Sequence, residues 1–227
     1  MRHLIEFITE KLKINSNITI YNYTPQKRQE LRDIIEERLE KDKNANLNDI
    51  DVSNITDMSN LFRALDPHNI DISEWNVSNV ENMALMFMDC SKVKCDLSKW
   101  DVSKVESTYR MFEGCTEFSS DLSKWDVSNV KNMYKMFDSC ENFSSDLSKW
   151  NVSNVKDMNS LFRWCILFSS DLSKWDVSKV EDMHSMFKNC ECFNSDLSNW
   201  NVSRCQDYHH IFWGCDSLKK LPSWYKT

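Results

Sequence analysis

Nine cysteines stand in this chain, and six of them, Cys90, Cys115, Cys140, Cys165, Cys190 and Cys215, recur at one phase of a 25-residue period. A thiol can do three things at such a spacing. It can pack as a small apolar group, it can pair with a thiol about 5 Å away in the next coil of a stack, or it can ligate a metal as thiolate. Cys90-x4-Cys95 and Cys190-x-Cys192 match zinc spacing only weakly. With no secretion signal in view, reduced core thiols are the leading reading. A second column, Asp96, Asp121, Asp146, Asp171 and Asp196, could hold Ca²⁺, but the Gly-rich repeat that stacked calcium sites use is missing. Turn carboxylates that accept backbone N–H bonds fit better. A third column, Trp75, Trp100, Trp125, Trp150, Trp175 and Trp200, reads as a packed ladder or as an aromatic strip for sugars. Asn76, Asn151 and Asn201 begin N-V-S sequons, yet Asp101, Asp126 and Asp176 take the same place elsewhere, which suits a turn-forming acceptor and not a glycan. His184, His209 and His210, the last two near Cys205 and Cys215, come with no nucleophile motif or phosphate loop. The expectation is therefore a non-enzyme with no cofactor and no metal.

These columns need elements to align them. The unit D-L-S-x-W-[DN]-V-S-x-V-x-x-M-x-x-M-F-x-x-C-x-x-F runs without insertion, and Phe62, Phe87, Phe112, Phe137, Phe162, Phe187 and Phe212 mark its phase. A fixed period of this length signals a stacked repeat. The Trp/Val-rich part, Leu122 to Val127, reads as a strand. The part that follows has apolar residues three and four apart (Met133, Met136, Phe137, Cys140), which predicts a helix. Ser78-x-x-Glu81, Ser103-x-x-Glu106 and Ser178-x-x-Glu181 look like capping boxes at its start. The fold class expected is α/β, a solenoid of about seven 25-residue coils. Positions that vary inside a strict repeat are free of stacking constraint, so they are expected at the surface. Large aromatics at such positions, Tyr109, Tyr134, Trp164 and Trp213, with Arg110 and Arg163 beside them, form a candidate binding ridge.

Residues 1–46 lack the repeat. Residues 3–13 predict a short amphipathic helix, Asn17 to Tyr23 a strand, and Thr24-Pro25 an N-cap and first turn for a second helix to about Lys43, with Leu31, Ile34, Ile35 and Leu39 as its apolar stripe. This α-β-α segment is expected to cap the solenoid of residues 47–227, and a C-terminal cap is expected from about residue 216. Net charge is −7, and beyond residue 46 there are 19 basic against 27 acidic residues. An acidic body is a poor match for a phosphate backbone, so no nucleic acid is expected. No apolar run suits a membrane span and no signal peptide is evident, which places the chain in the cytoplasm as encoded, a virion being the alternative.

The motif M-x-x-M-F-x-x-C-x-x-F-x-x-D-L-S-x-W-D-V-S-x-V resembles the BspA-like leucine-rich-repeat proteins, in the variant abundant in mycoplasma surface lipoproteins and present in gut bacteria and their phages. The resemblance spans Leu47 to Leu221. It implies a leucine-rich-repeat-like solenoid and a non-enzymatic role in protein–protein recognition or adhesion. The absence of a lipobox departs from the surface members. The alternative is a structural or packaged component of a phage virion or other complex, docked through its N-terminal cap. The partner expected is a protein, with carbohydrate a lesser alternative.

Overall fold

The computed structural model describes residues 21–226. The helix expected over 3–13 and most of the strand expected over 17–23 lie outside them. The described chain holds one helix, α1, Arg28–Lys41, and no sheet. Its parallel pairing consists of isolated bridges. The expected α/β solenoid of about seven strand-and-helix coils with an α-β-α cap is therefore wrong. Each 25-residue unit is a rung made of turns.

One rung shows why. Asp121 Oδ1 accepts the Ser123 N–H at 2.9 Å, and Trp125 N–H turns back to the Leu122 carbonyl at 3.1 Å. Asp126 Oδ1 takes the Ser128 N–H, and Val130 N–H returns to Val127 O. Short acceptor side chains thus capture the backbone that a strand would have offered to a neighbour. The same capture by Asn76, Asp101 and Asp176 removes the expected capping boxes: Ser78, Ser103 and Ser178 sit inside turns.

The expected helix fails for a related reason. Met136, Asp138 and Cys140 close successive turns onto Met133, Lys135 and Phe137. The alternate N–H groups of Met133, Lys135, Phe137 and Ser139 instead donate to Asp157, Asn159, Leu161 and Arg163 in the next rung, at 2.7–3.0 Å. Lys135 and Ser139 carry φ of 53° and 62°. A left-handed residue every fourth position cannot continue an α-helix. The bonds a helix would close within itself are given to the neighbouring rung. We call this stretch, 132–139 and its equivalents, the ladder segment. Bridges from Asp57 through Asn82, Ser107, Asn132, Asp157 and Asp182 to Asp207 keep it in register at 25-residue steps.

The apolar positions of the repeat, Leu122, Trp125, Val127, Val130, Met133, Met136, Phe137, Cys140 and Phe143, are all buried. Equivalent rings are 5.2 Å apart for Tyr109–Tyr134, 5.6 Å for Phe112–Phe137, 6.1 Å for Phe143–Phe168 and 6.5 Å for Trp150–Trp175. The rungs are closest at the ladder and fan open toward the tryptophans.

α1 begins three residues after the expected Pro25 start. Its N-cap is Lys27, with no side-chain cap. It buries Leu31, Ile35 and Leu39 against the first rung.

Candidate functional site

The ladder face carries the residues that the sequence singled out, and the structure sorts them into two groups. Tyr109 and Tyr134 occupy one column. Their rings stack at 5.2 Å and 12°, both half-buried. Arg110 lies 5.9 Å from the Tyr109 ring, and Lys135 lies 5.7 Å from that of Tyr134. These cations sit at left-handed positions, φ 52° and 53°.

Neither arginine is a free contact. Arg110 Nε donates to Glu113. Arg163 grips Asp138, with Nε 2.9 Å from Oδ1 and a terminal nitrogen 2.9 Å from Oδ2. Lys135 Nζ joins the two pairs, 3.3 Å from Glu113 and 3.5 Å from Asp138. Arg110, Glu113, Lys135, Asp138 and Arg163 form one alternating chain of charge. Asp138 is fully buried, so its carboxylate depends on these cations. Glu113, Lys135 and Asp138 were not among the expected site residues. Part of their signal was in the sequence: Asp138 and Arg163 share one phase, which puts opposite charges on adjacent rungs, while Glu113 and Lys135 each stand three residues from an opposite charge, Arg110 and Asp138.

Trp164 and Trp213 make the second group, 44% and 62% exposed. They stand in adjacent columns. Trp164 holds a left-handed position, φ 60°, and its N–H is tied to Lys188 O at 2.8 Å. Lys188 Nζ lies 5.9 Å from the Trp213 ring. His210 meets Trp213 edge-on at 5.4 Å.

The three chemical columns are structural. Each tryptophan from Trp75 to Trp200 is buried, and its Nε1–H donates to a carbonyl 28 residues earlier, as Trp125 does to Leu97 at 2.9 Å. No sugar can reach that ladder. The six column thiols are buried and unpaired by disulfide, and each Sγ–H points at a carbonyl, as Cys140 does at Phe112 O, 3.0 Å away. Burial pushes Cys90 and Cys215 up to about 12 and the four between them well above the usual range. Protonated thiols are poor nucleophiles and poor ligands. The aspartate column accepts N–H bonds. Hydrogen bonds from Ser123, Ser148 and Ser173, with help from Ser145, Ser170 and Ser195 of the next rung, hold Asp121, Asp146 and Asp171 below the usual carboxylate range. Lys99 turns from Asp96 to Glu74, at 2.8 Å. His184 and His209 both face Asp207, at 3.4 and 2.8 Å. Among the described residues no group of three or more His, Cys, Asp or Glu is placed to hold a metal ion, and no helix is long and apolar enough to cross a membrane.

The repeat and its register decide the relationship. The family model described as Mycoplasma protein of unknown function, DUF285, matches residues 29–149 and again residues 119–225. The chain belongs to this family. The mycoplasma-type repeat expected from the motif is thereby shown, as a DUF285 repeat, while nothing in the rungs reproduces the strand and helix of a leucine-rich repeat. No curated protein and no solved structure matches the DUF285 chain.

Proposed function

We propose that this DUF285 repeat protein is a non-enzymatic recognition scaffold that binds another protein across its ladder face, through Trp164 and Trp213 and the stacked Tyr109–Tyr134 pair. The observation that carries the reading is exposure on a pinned backbone. Trp164 and Trp213 present large apolar surface to solvent, while the chain beneath Trp164 is hydrogen-bonded to the next rung. Rigid exposed aromatics lose little freedom on binding, which is why they dominate interface energetics. The buried, protonated thiols and the histidines turned onto Asp207 support a non-enzymatic role. The acidic body supports a protein partner over nucleic acid. Docking of a virion component through the N-terminal segment has less behind it, because Arg28, Arg32 and Arg38 of α1 are engaged within the chain.

The repeat itself supplies substitutions that the fold tolerates. Asn189 fills the Trp164 column and Lys188 the Trp213 column. Trp164→Asn with Trp213→Lys should keep the thermal midpoint and lower affinity for a captured partner by about 100-fold, the loss typical of two hot-spot residues. Unchanged capture from a lysate of the source organism, with the double variant folded, would reject the ridge.

A further inference from the structure

The turn after Cys165 departs from the repeat in its side chains alone. Its two outward residues are Ile166 and Leu167. Neighbouring rungs place Thr116 and Glu117, Glu141 and Asn142, or Glu191 and Cys192 there. Leu167 is 48% exposed and Ile166 half-buried, and neither packs on the core. The backbone keeps the common pattern: Leu167 N–H donates to Glu141 O, and Ile166 O accepts the Cys192 N–H. Stacking therefore does not require apolar side chains at these two places, because polar ones serve the rungs on either side. Glu141 and Glu191 flank Ile166 one rung below and one above, both exposed. Other exposed glutamates pair across rungs, Glu117 with Lys94 and Glu106 with Lys131. Among the described residues Glu141 and Glu191 have no ion-pair partner.

A second departure lies two rungs on, in the next part of the contour. Lys219, Lys220 and Leu221 take the places that Ser169, Ser170 and Asp171 hold. Leu221 is 48% exposed. Its column is also exposed at Asp121, Asp146, Asp171 and Asp196, so the exposure belongs to the position and not to the last rung. Both lysines are exposed and stand beside Asn194 and Asp196. The two departures border one open groove. Cys192, of the Leu167 column, lines it together with Ser169, Asp171 and Asp196, of the columns that become Lys219 and Leu221. One side of the molecule thus carries an apolar turn rimmed by carboxylates and, two rungs away, an apolar residue flanked by lysines.

We infer that this side of the molecule binds a second copy of the chain. Two copies meet antiparallel about a two-fold axis that passes through the groove between the two departures. Leu221 of each copy packs on Ile166 and Leu167 of the other, and Lys219 and Lys220 of each meet Glu141 and Glu191 of the other. The sets match in polarity and in sign of charge, and a two-fold makes each contact twice. An apolar centre inside a charged rim is the common anatomy of a protein interface. A basic segment of a different protein would answer the first departure and leave Lys219, Lys220 and Leu221 unexplained. A second copy answers both. The contact uses the turn after Cys165 and not the ladder face, so it stands or falls apart from the Trp164 ridge.

Sedimentation velocity on the full chain tests this. The protein should pass from monomer to dimer between about 1 µM and 1 mM, the span of a modest two-fold interface. A monomer throughout would overturn the proposal. Ile166→Glu with Leu167→Asn installs the residues of the rung below, so the melting midpoint should hold while dimerisation weakens by about 100-fold, each change acting twice. A dimer that survives in this variant would place the contact elsewhere and overturn the proposal. Glu141→Lys with Glu191→Lys should weaken dimerisation by about tenfold, and adding Lys219→Glu with Lys220→Glu should restore it. Failure of that rescue would overturn the pairing of the two sets. Cys192 gives a second readout: its labelling by a thiol reagent, fast in dilute solution, should slow as the dimer forms. Trp164→Asn should leave the dimer unchanged, and its loss in that variant would move the contact to the ladder face and overturn the proposal.

Discussion

Single side chains in this protein act across rungs more than within them. The tryptophan ladder is the plainest case, since each indole N–H satisfies a carbonyl of the rung before it. Trp125→Phe would keep most of the apolar contact and remove one of two donors to the Leu97 carbonyl, which keeps the Trp100 N–H. Losing that inter-rung hydrogen bond should cost about 0.5–1.5 kcal/mol in urea unfolding, with an unchanged denaturant slope. The ladder column that carries the bridges makes a second test. It reads Asp57, Asn82, Ser107, Asn132, Asp157, Asp182, Asp207. Burial, together with the neighbouring Asp182 charge, raises the Asp157 carboxyl above its ordinary value. A carboxyl raised in the folded state opposes folding once it ionises, and the penalty fades as pH falls through the raised value. Asp157→Asn keeps the acceptor for Asn159 N–H, as Asn132 does for Tyr134. It should raise the melting midpoint at pH 7 and by less at pH 4. A gain equal at both values would show that charge is not the cause.

The elements are unusual because turns take the place of helix and strand. Three residue choices enforce this. Asx residues capture the N–H two places on, left-handed positions interrupt any helix every four residues, and alternate amides are handed to the next rung. α1 is the exception, and its 14 residues are marginal as an isolated helix. Its stability comes from Leu31, Ile35 and Leu39 and from the arginines on the first rung. Arg28→Ala with Arg32→Ala removes donors from the Ser59, Leu61 and Arg63 carbonyls. The pair should cost about 2–4 kcal/mol, at roughly 1–2 for each arginine. The loss should appear first as faster amide exchange in α1, with rungs beyond Trp125 unaffected. Uniform loosening along the chain would contradict the capping role.

Across the whole molecule, each rung contacts mainly its neighbours, so stability is a sum over interfaces and weakest at the ends. Buried thiols report on this directly. With a thiol reagent in native buffer at pH 8, exposed Cys192 should label within minutes while Cys115, Cys140, Cys165 and Cys190 stay unlabelled. In rising urea, Cys215 should label before Cys140, because only one of its faces is covered by a complete rung. Simultaneous labelling would mean that the stack unfolds as a single cooperative unit.

The period, the register and much of the buried set were legible in the sequence. Leu122, Val127, Met133, Phe137 and Cys140 could be assigned to a shared core because identical apolar residues at a fixed spacing can be buried by stacking, whereas the Trp125 column read equally as a ladder or a sugar strip until the structure buried it. The Asx character of the Asp101 and Asp121 columns was legible for the same reason, since Asn and Asp interchange where only a short acceptor is needed. Secondary structure was not legible. A spacing of three and four residues describes which side chains face the core, and consecutive tight turns satisfy it as well as a helix does. The choice between them rests on where Lys135 and Phe137 send their N–H groups, and that depends on a rung 24 residues further on. The partners of Arg110 and Arg163 were beyond the sequence on the same ground. Each is a relation between neighbouring rungs, formed only once the chain has stacked.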